Sequence, residues 1–226
     1  MSAEIFTEHV IVWLGPVPLT RTMATSVATS LFLWGALAPV GRAVARAPEG
    51  RLAAAGRLMY RFLRDLVTET VGHPSRGLEV FSGSLFLFIA GASLLGQLPG
   101  FAPPTTNLAA TSALAALVFL AVPFAGIRAR GLAGYVKRYF QPSPLIFPLH
   151  LVSELSRTLA LALRLFGNMM SGHLIVALIV ALVGLLVPVP LMALDLLIGL
   201  LQAYIFTILA SVYIGAAIRV GEEEGA

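Results

Sequence analysis

The sequence predicts an all-α membrane protein: five membrane segments, one amphipathic helix on the membrane surface, and two long tilted helices that form a closing hairpin. Three observations carry that expectation. Of the 226 residues, 58% are hydrophobic and only 12% are charged, about half the charged share of a soluble domain. Mean hydropathy is +0.90. Apolar stretches recur along the chain, each long enough to cross a hydrocarbon core of about 30 Å. They are too long and too unbroken for barrel strands, which need about 10 alternating residues.

The first membrane segment covers residues 23–40. A run of arginines follows, from Arg42 through Arg51, Arg57, Arg61 and Arg64 to Arg76. Between them Leu52, Met59, Phe62, Leu63 and Leu66 recur at helical spacing, so residues 51–69 read as a surface helix. A soluble linker helix is the plainer alternative. The second segment spans 78–98, and an uncharged Pro- and Gly-rich loop leads to the third, 108–127. A second basic stretch, with Arg128, Arg130, Lys137 and Arg138, comes next. The positive-inside rule places both basic stretches in the cytoplasm, the N-terminus outside and the C-terminus inside.

Residues 149–187 contain no proline and keep a helical pattern. About 39 residues at 1.5 Å each give roughly 58 Å. A helix of that length cannot stand upright in the bilayer core; it tilts, bends or runs along the interface. The Val187–Pro190 stretch reads as a turn, and residues 191–219 as the last helix. Glu222, Glu223 and Glu224 form a solvated tail. No internal repeat appears, and residues 1–226 read as one membrane domain. Glu4 and Glu8 stand where a signal peptide would be basic, so no cleaved signal is expected. The absence of cysteine excludes disulfides and thiolate-ligated metals. The chain has no GxxxxGK[ST] loop, so no nucleotide site is expected. The basic residues speak to topology rather than to nucleic acid. No cofactor or metal is expected.

Ionisable residues in apolar helices are costly; insertion scales give roughly 2.5–3.5 kcal/mol for a central Arg. The closing hairpin nevertheless carries Glu154, Arg157, Arg164, His173 and Asp195. Arg164 is the sharpest case. It follows a full apolar turn, Asn168 shares its face one turn later, and Leu161 and Arg157 extend that face upstream. His173 is nine residues on, or about 900° at 100° per residue, and so lies on the opposite side. Asp195, Gln202 and Tyr213 return to nearly one angle on the next helix. A charge that cannot deprotonate, beside separate proton-exchanging groups, suits ion translocation. A mobile carboxylate nearing Arg164 is favoured in its ionised form, and the arginine blocks direct leakage between two access paths.

Plainer roles stand beside these. Arg157 can pair with Glu154 at i,i+3 or snorkel. Asn168, Gln202 and Tyr213 serve equally as helix–helix glue, and Gly167 and Gly172 as sites of close packing. Glu79 opens a helix, where the dipole alone accounts for it. Ser171 completes the candidate set. His173 and Asp195 are expected near each other on the side away from Arg164. In straight rods their distances from the turn differ by about 13 Å, so contact needs a bend, a stagger or a bridging water.

The stretch SELSRTLALALRLFGNMMSGH resembles the signature of the ATP synthase a-subunit family. Arg164 falls at the family's essential arginine and Asn168 at its asparagine one turn on. LIGLLQAYIFTILASVYIG is similar to the family's last helix, with Gln202 and Tyr213 on its polar positions. LFLFIAGASLLGQLPGF and PPTTNLAATSALA are weaker matches. The likeness covers residues 78–215; the first 70 residues match in layout. The His173 and Asp195 pair is closest to the mitochondrial-type His and Glu, with a shorter acid. Asn107 and Ala109 depart from the Asp and Asn often found there, which bears on the outer access path.

The resemblance implies a static subunit of an F-type ATP synthase that hydrolyses nothing itself. It would give two offset half-channels to the carboxylates of a c-subunit ring, with b subunits and the rest of the complex as further partners. The lipid bilayer would surround it, in a bacterial inner membrane or, alternatively, an organellar one. The ion is a proton or sodium. A self-contained channel or secondary transporter is the main alternative and predicts inverted repeats or broken helices, which the sequence lacks. A purely structural scaffold leaves the cost of Arg164, His173 and Asp195 unexplained.

Overall fold

The structure, a computed structural model, describes residues 10–14, 17–46, 49–72, 75–98, 101–139, 147–184 and 188–219. Two short strands come first: β1 (Val10–Leu14) and β2 (Val17–Thr20), paired antiparallel with Leu14 opposite Val17. The sequence reading does not anticipate this hairpin. Six helices follow: α1 (Arg21–Arg46), α2 (Arg51–Val71), α3 (Arg76–Leu95), α4 (Leu108–Tyr139), α5 (Phe147–Val183) and α6 (Val189–Arg219). All but α2 are long and apolar enough to cross a membrane. The molecule is an all-α membrane protein.

Serine and threonine punctuate α1, and there the helix absorbs them. Thr25 and Ser26 bond the carbonyl of Thr22, Thr29 that of Thr25, and Ser30 that of Ser26. Each hydroxyl is thereby satisfied without water, as a bilayer demands. Trp34 and Leu31 point outward.

The amphipathic α2 packs its buried line, Ala53, Gly56, Leu63, Leu66, Val67 and Val71, against α1, α3 and α6. Gly56 permits the approach to α1: a Cβ there would stand 2.6 Å from Val40 Cγ1. Leu52 and Phe62, expected on the apolar face, are exposed instead. The helix therefore has two apolar sides, one against protein and one toward the surroundings, with Arg61 and Arg64 also exposed. Ser75 caps α3, accepting from the Leu78 N–H. Asn107 fixes the start of α4. Its Oδ1 accepts from the Ala109 N–H at 2.7 Å, and its Nδ2 donates to Thr22 Oγ1 at 2.8 Å.

Most helix ends differ from the sequence reading by a few residues: α1 runs on to Arg46, α3 stops at Leu95, and α6 begins at Val189, inside the expected Val187–Pro190 turn. Two further differences are marked by glycines. The basic stretch after residue 127 is helical as far as Tyr139, broken by Gly131 at φ 77° and ψ 165°. The apolar part, Leu108–Ala129, is the membrane candidate. Gly184, at φ 88°, ends α5 at Val183, four residues before the expected Val187. Its N–H bonds the Val180 carbonyl, a left-handed glycine cap.

The core joins α3, α4, α5 and α6 through Ile89, Val118, Leu165, Met169, Ala203 and Phe206. A second cluster, Val67, Val71, Leu78 and Ile214, ties α2 into it. Burial is uneven. Over its most apolar window α6 is 44% buried and α3 50%, but α5 only 6%. Thus α6 is central and α5 is an outer wall with one side bare. At 1.5 Å per residue α5 is roughly 55 Å long and α6 roughly 46 Å. Both exceed the core thickness of about 30 Å.

Candidate functional site

On α5 the buried residues are Leu161, Ala162, Leu165 and Met169, a single stripe. At 100° per residue, Arg164 lies just beyond one edge of this stripe and His173 just beyond the other, about 180° apart. The structure leaves Arg164 exposed and His173 half-buried. Arg164 makes no hydrogen bond or ion pair with any described residue. Its guanidinium carries five donors, none of which finds an acceptor within the described chain. His173 likewise has no hydrogen-bonding partner among the described residues.

The polar residues of α5 and α6 meet in three antiparallel rungs. The Arg157 guanidinium lies 4.4 Å above the centre of the Tyr213 ring. Eleven residues further along α5 and eleven back along α6, Asn168 Nδ2 donates to Gln202 Oε1 at 2.7 Å. Next, the Asp195 carboxylate lies against the α-carbon of Gly172, where a Cβ would overlap Oδ1. The shared face of Asp195, Gln202 and Tyr213 is thus the face of α6 that meets α5. The ring of Tyr213 thus takes the charge of Arg157. Arg157, Glu154, Thr158 and Tyr213 border a cavity of about 10 Å³, close to the volume that holds one water.

Asp195 reaches the level of His173 because α5 ends early. From His173 to Val183 is ten residues, and from Val189 to Asp195 six. The mismatch shrinks to about four residues, or roughly 6 Å at 1.5 Å each. No hydrogen bond joins the two side chains, however. Asp195 Oδ2 accepts instead from Gln97 Nε2, at 3.3 Å, in the turn that ends α3.

Gln202 is 2% exposed, and its Nε2 has no partner among the described residues. Around it the α3–α6 contact is a seam of small polar groups. Ser82 and Ser211 share a hydrogen bond at 2.8 Å. Ser93 bonds the Ile89 carbonyl and touches Met169 Sδ at 3.6 Å. Gly199 admits Ser93, whose Oγ would stand 2.5 Å from a Cβ at that position. Ser171 is exposed and bonds only the Asn168 carbonyl, within its own helix. Glu79 sits apart from the hairpin: it accepts from Tyr60 Oη at 3.2 Å and pairs with Arg64 at 3.8 Å. It clasps α3 to α2. The sequence reading passes over Gln97, Ser93, Ser82 and Ser211. Their signal in the sequence is a polar residue recurring on one side of an apolar helix.

A lone arginine on a bare helix, backed by an amide ladder and a carboxylate, is the arrangement that comparison with known proteins must account for. Residues 20–215 match the family described as ATP synthase A chain. The chain belongs to that family. ATP synthase subunit a 2 of a Bradyrhizobium species is 42% identical over 96% of this chain and 97% of its own length. ATP synthase subunit a 1 of Chlorobium luteolum is 42% identical over 96% of the chain and 98% of its own length. ATP synthase subunit a of Albidiferax ferrireducens reaches 54% identity over 62% of the chain and 60% of its own length. As a member of the ATP synthase A chain family, the protein is a multi-pass membrane component of ATP synthase and serves ion transport coupled to ATP synthesis. The family match takes in α1 to α5 and most of α6, and therefore all three rungs.

Proposed function

We propose that this chain is the ion-translocating subunit a of an F-type ATP synthase and that the bare side of α5 faces a ring of c subunits. The observation that carries the reading is Arg164: central in a membrane-length helix, exposed, and without a partner among the described residues. A buried guanidinium in hydrocarbon needs an anion. A carboxylate on a passing ring supplies one and is held ionised while beside it. Because arginine does not release its proton at physiological pH, the ring site must discharge its ion on one side and reload on the other.

Two offset half-channels then lead to the ring. His173, Asp195 and Gln97 would line one, at the end of the molecule where α5 turns into α6. Asn168 and Gln202 would sit beside the arginine. The transported ion is a proton or sodium. The chain holds no nucleotide and performs no hydrolysis; b subunits anchor it to the catalytic sector. The end of α1, the whole of α2, the start of α3 and the ends of α4 and α6 carry eleven of the fourteen arginines, and a shared groove brings the start of α3 together with α4 near Ala129 and the end of α6. That side is cytoplasmic, with the N-terminus outside and the C-terminus inside a bacterial inner membrane.

The test is Arg164→Ala in the assembled complex, assayed as ATP-driven ion pumping in membrane vesicles. Pumping is lost while the complex still assembles. Full pumping by the variant refutes the reading.

A further inference from the structure

Where α3 begins, the membrane part of α4 ends and α6 ends, the structure contains a groove of about 590 Å³. Its walls are apolar: Leu78 and Phe81 from α3, Ala121 and Phe124 from α4, Ile214 and Ile218 from α6. The groove exists because α4 presents alanine there on successive turns, at 121, 125 and 129. From Ala121 to Ala129 the cleft runs about 12 Å along the helix.

One end of the groove is positive. Arg128 lines it, and Ser75 and Gly77 bring in the first turn of α3, with Arg76 between them. Arg76 and Arg128 are both exposed, and neither forms an ion pair or hydrogen bond with a described residue. The first-turn N–H groups of α3 point the same way in charge: Ser75 satisfies that of Leu78, and those of Arg76 and Gly77 have no helical acceptor. The groove therefore asks for a ligand with an anionic head and an apolar tail, entering at a membrane interface.

We infer that this groove holds an acyl chain of an anionic phospholipid from the bilayer, with its phosphate against Arg128, Arg76 and the first turn of α3. A free phosphate would leave the apolar walls unused. A zwitterionic lipid would bring a cation to two unpaired guanidiniums. Basic pockets between membrane helices recognise anionic headgroups by this combination of charge and apolar depth.

The experiment uses the intact ATP synthase complex, extracted in mild detergent, stripped of loosely held lipid and exposed to phosphatidylglycerol or phosphatidylcholine of equal chain length. Lipid retained on the complex is measured by native mass spectrometry. The wild-type complex is expected to retain phosphatidylglycerol in preference to phosphatidylcholine. R128Q and R76Q each weaken that retention by about fivefold, the share of one basic side chain near an anionic surface. A125F fills the groove, leaves both arginines in place and also loses the lipid. Equal retention of the two lipids overturns the inference, and so does retention unchanged by R128Q and R76Q. Displacement of the lipid by inorganic phosphate alone also overturns it, because the apolar walls would then contribute nothing. The arginine variants change exposed side chains and decide the matter even if A125F fails to assemble. No readout involves ion transport, so the outcome is separate from the role of Arg164.

Discussion

The carboxylate of Asp195 lies against the α-carbon of Gly172, in the space that any larger residue would occupy. The same carboxylate accepts from Gln97 in the turn that follows α3. A glycine, an acid and an amide from three separate segments thus form one contact. Gly172→Ala should expel the carboxylate and spread α5 from α6, with an overpacking cost of about 1–3 kcal/mol. Pumping in vesicles is expected to fall well before assembly does. A variant that pumps normally would show that the position of Asp195 is immaterial.

Gln97→Leu tests the same contact from the turn after α3. It removes the donor to Asp195 without adding bulk between α5 and α6. Ion transport should drop several-fold, while the yield of assembled complex stays near wild type. Gln97→Glu should be worse than Gln97→Leu, since it sets two carboxylates side by side. The comparison of pumping rates across the pair separates a positioning role from packing.

Asn168 and Gln202 form an amide pair in which Gln202 is almost wholly buried. Hydrogen bonds between membrane helices average about 0.6 kcal/mol and reach about 1.7. Asn168→Ala strips Gln202 of its one side-chain partner among the described residues and should lower thermal stability by an amount in that range. Gln202→Leu with Asn168→Ala should restore stability, because no polar group is then left unsatisfied, and should leave transport impaired. Thermal unfolding of the purified complex, read beside pumping, checks both parts.

Arg157 and Tyr213 are joined by charge over ring, worth about 0.5–2 kcal/mol depending on desolvation. Tyr213→Phe preserves the ring and should cost little. Tyr213→Leu and Arg157→Gln should each destabilise, and together by less than the sum. A double-mutant cycle on thermal stability measures the coupling. Strict additivity would mean that the contact contributes nothing.

Much of this architecture is legible in the sequence because a membrane leaves few choices. Apolar runs longer than a bilayer is thick must be helices, and α5 and α6 are helical over nearly the expected lengths. The common face of Asp195, Gln202 and Tyr213 follows from helical period, and each of the three meets α5 in the structure. The ends of helices are harder. Hydropathy marks where apolar sequence stops, not where hydrogen bonding stops, so the helix that continues past Ala129 to Tyr139 reads as a loop. The left-handed Gly184 is hidden in the apolar run that begins at Leu174. Contacts distant along the chain are least legible. Nothing local pairs Gln97 with a residue 98 positions away. Only packing reveals which apolar side of α2 is buried.

Beyond the guanidinium, the outward residues of α5 on nearly the same side as Arg164 include Leu178 and Leu182. Leucine against leucine and leucine against a lipid tail are nearly equal in energy, since hydrocarbon on either side is alike. Such a surface forms no directional bonds that a sliding neighbour would have to break. Opposite a ring, it would resist rotation weakly and at no preferred angle. Arg164 would then be a charged catch at the end of this smooth stretch. Polar substitutions at these leucines would add further catches, and the penalty would appear as slowed turnover in a complex that remains fully assembled.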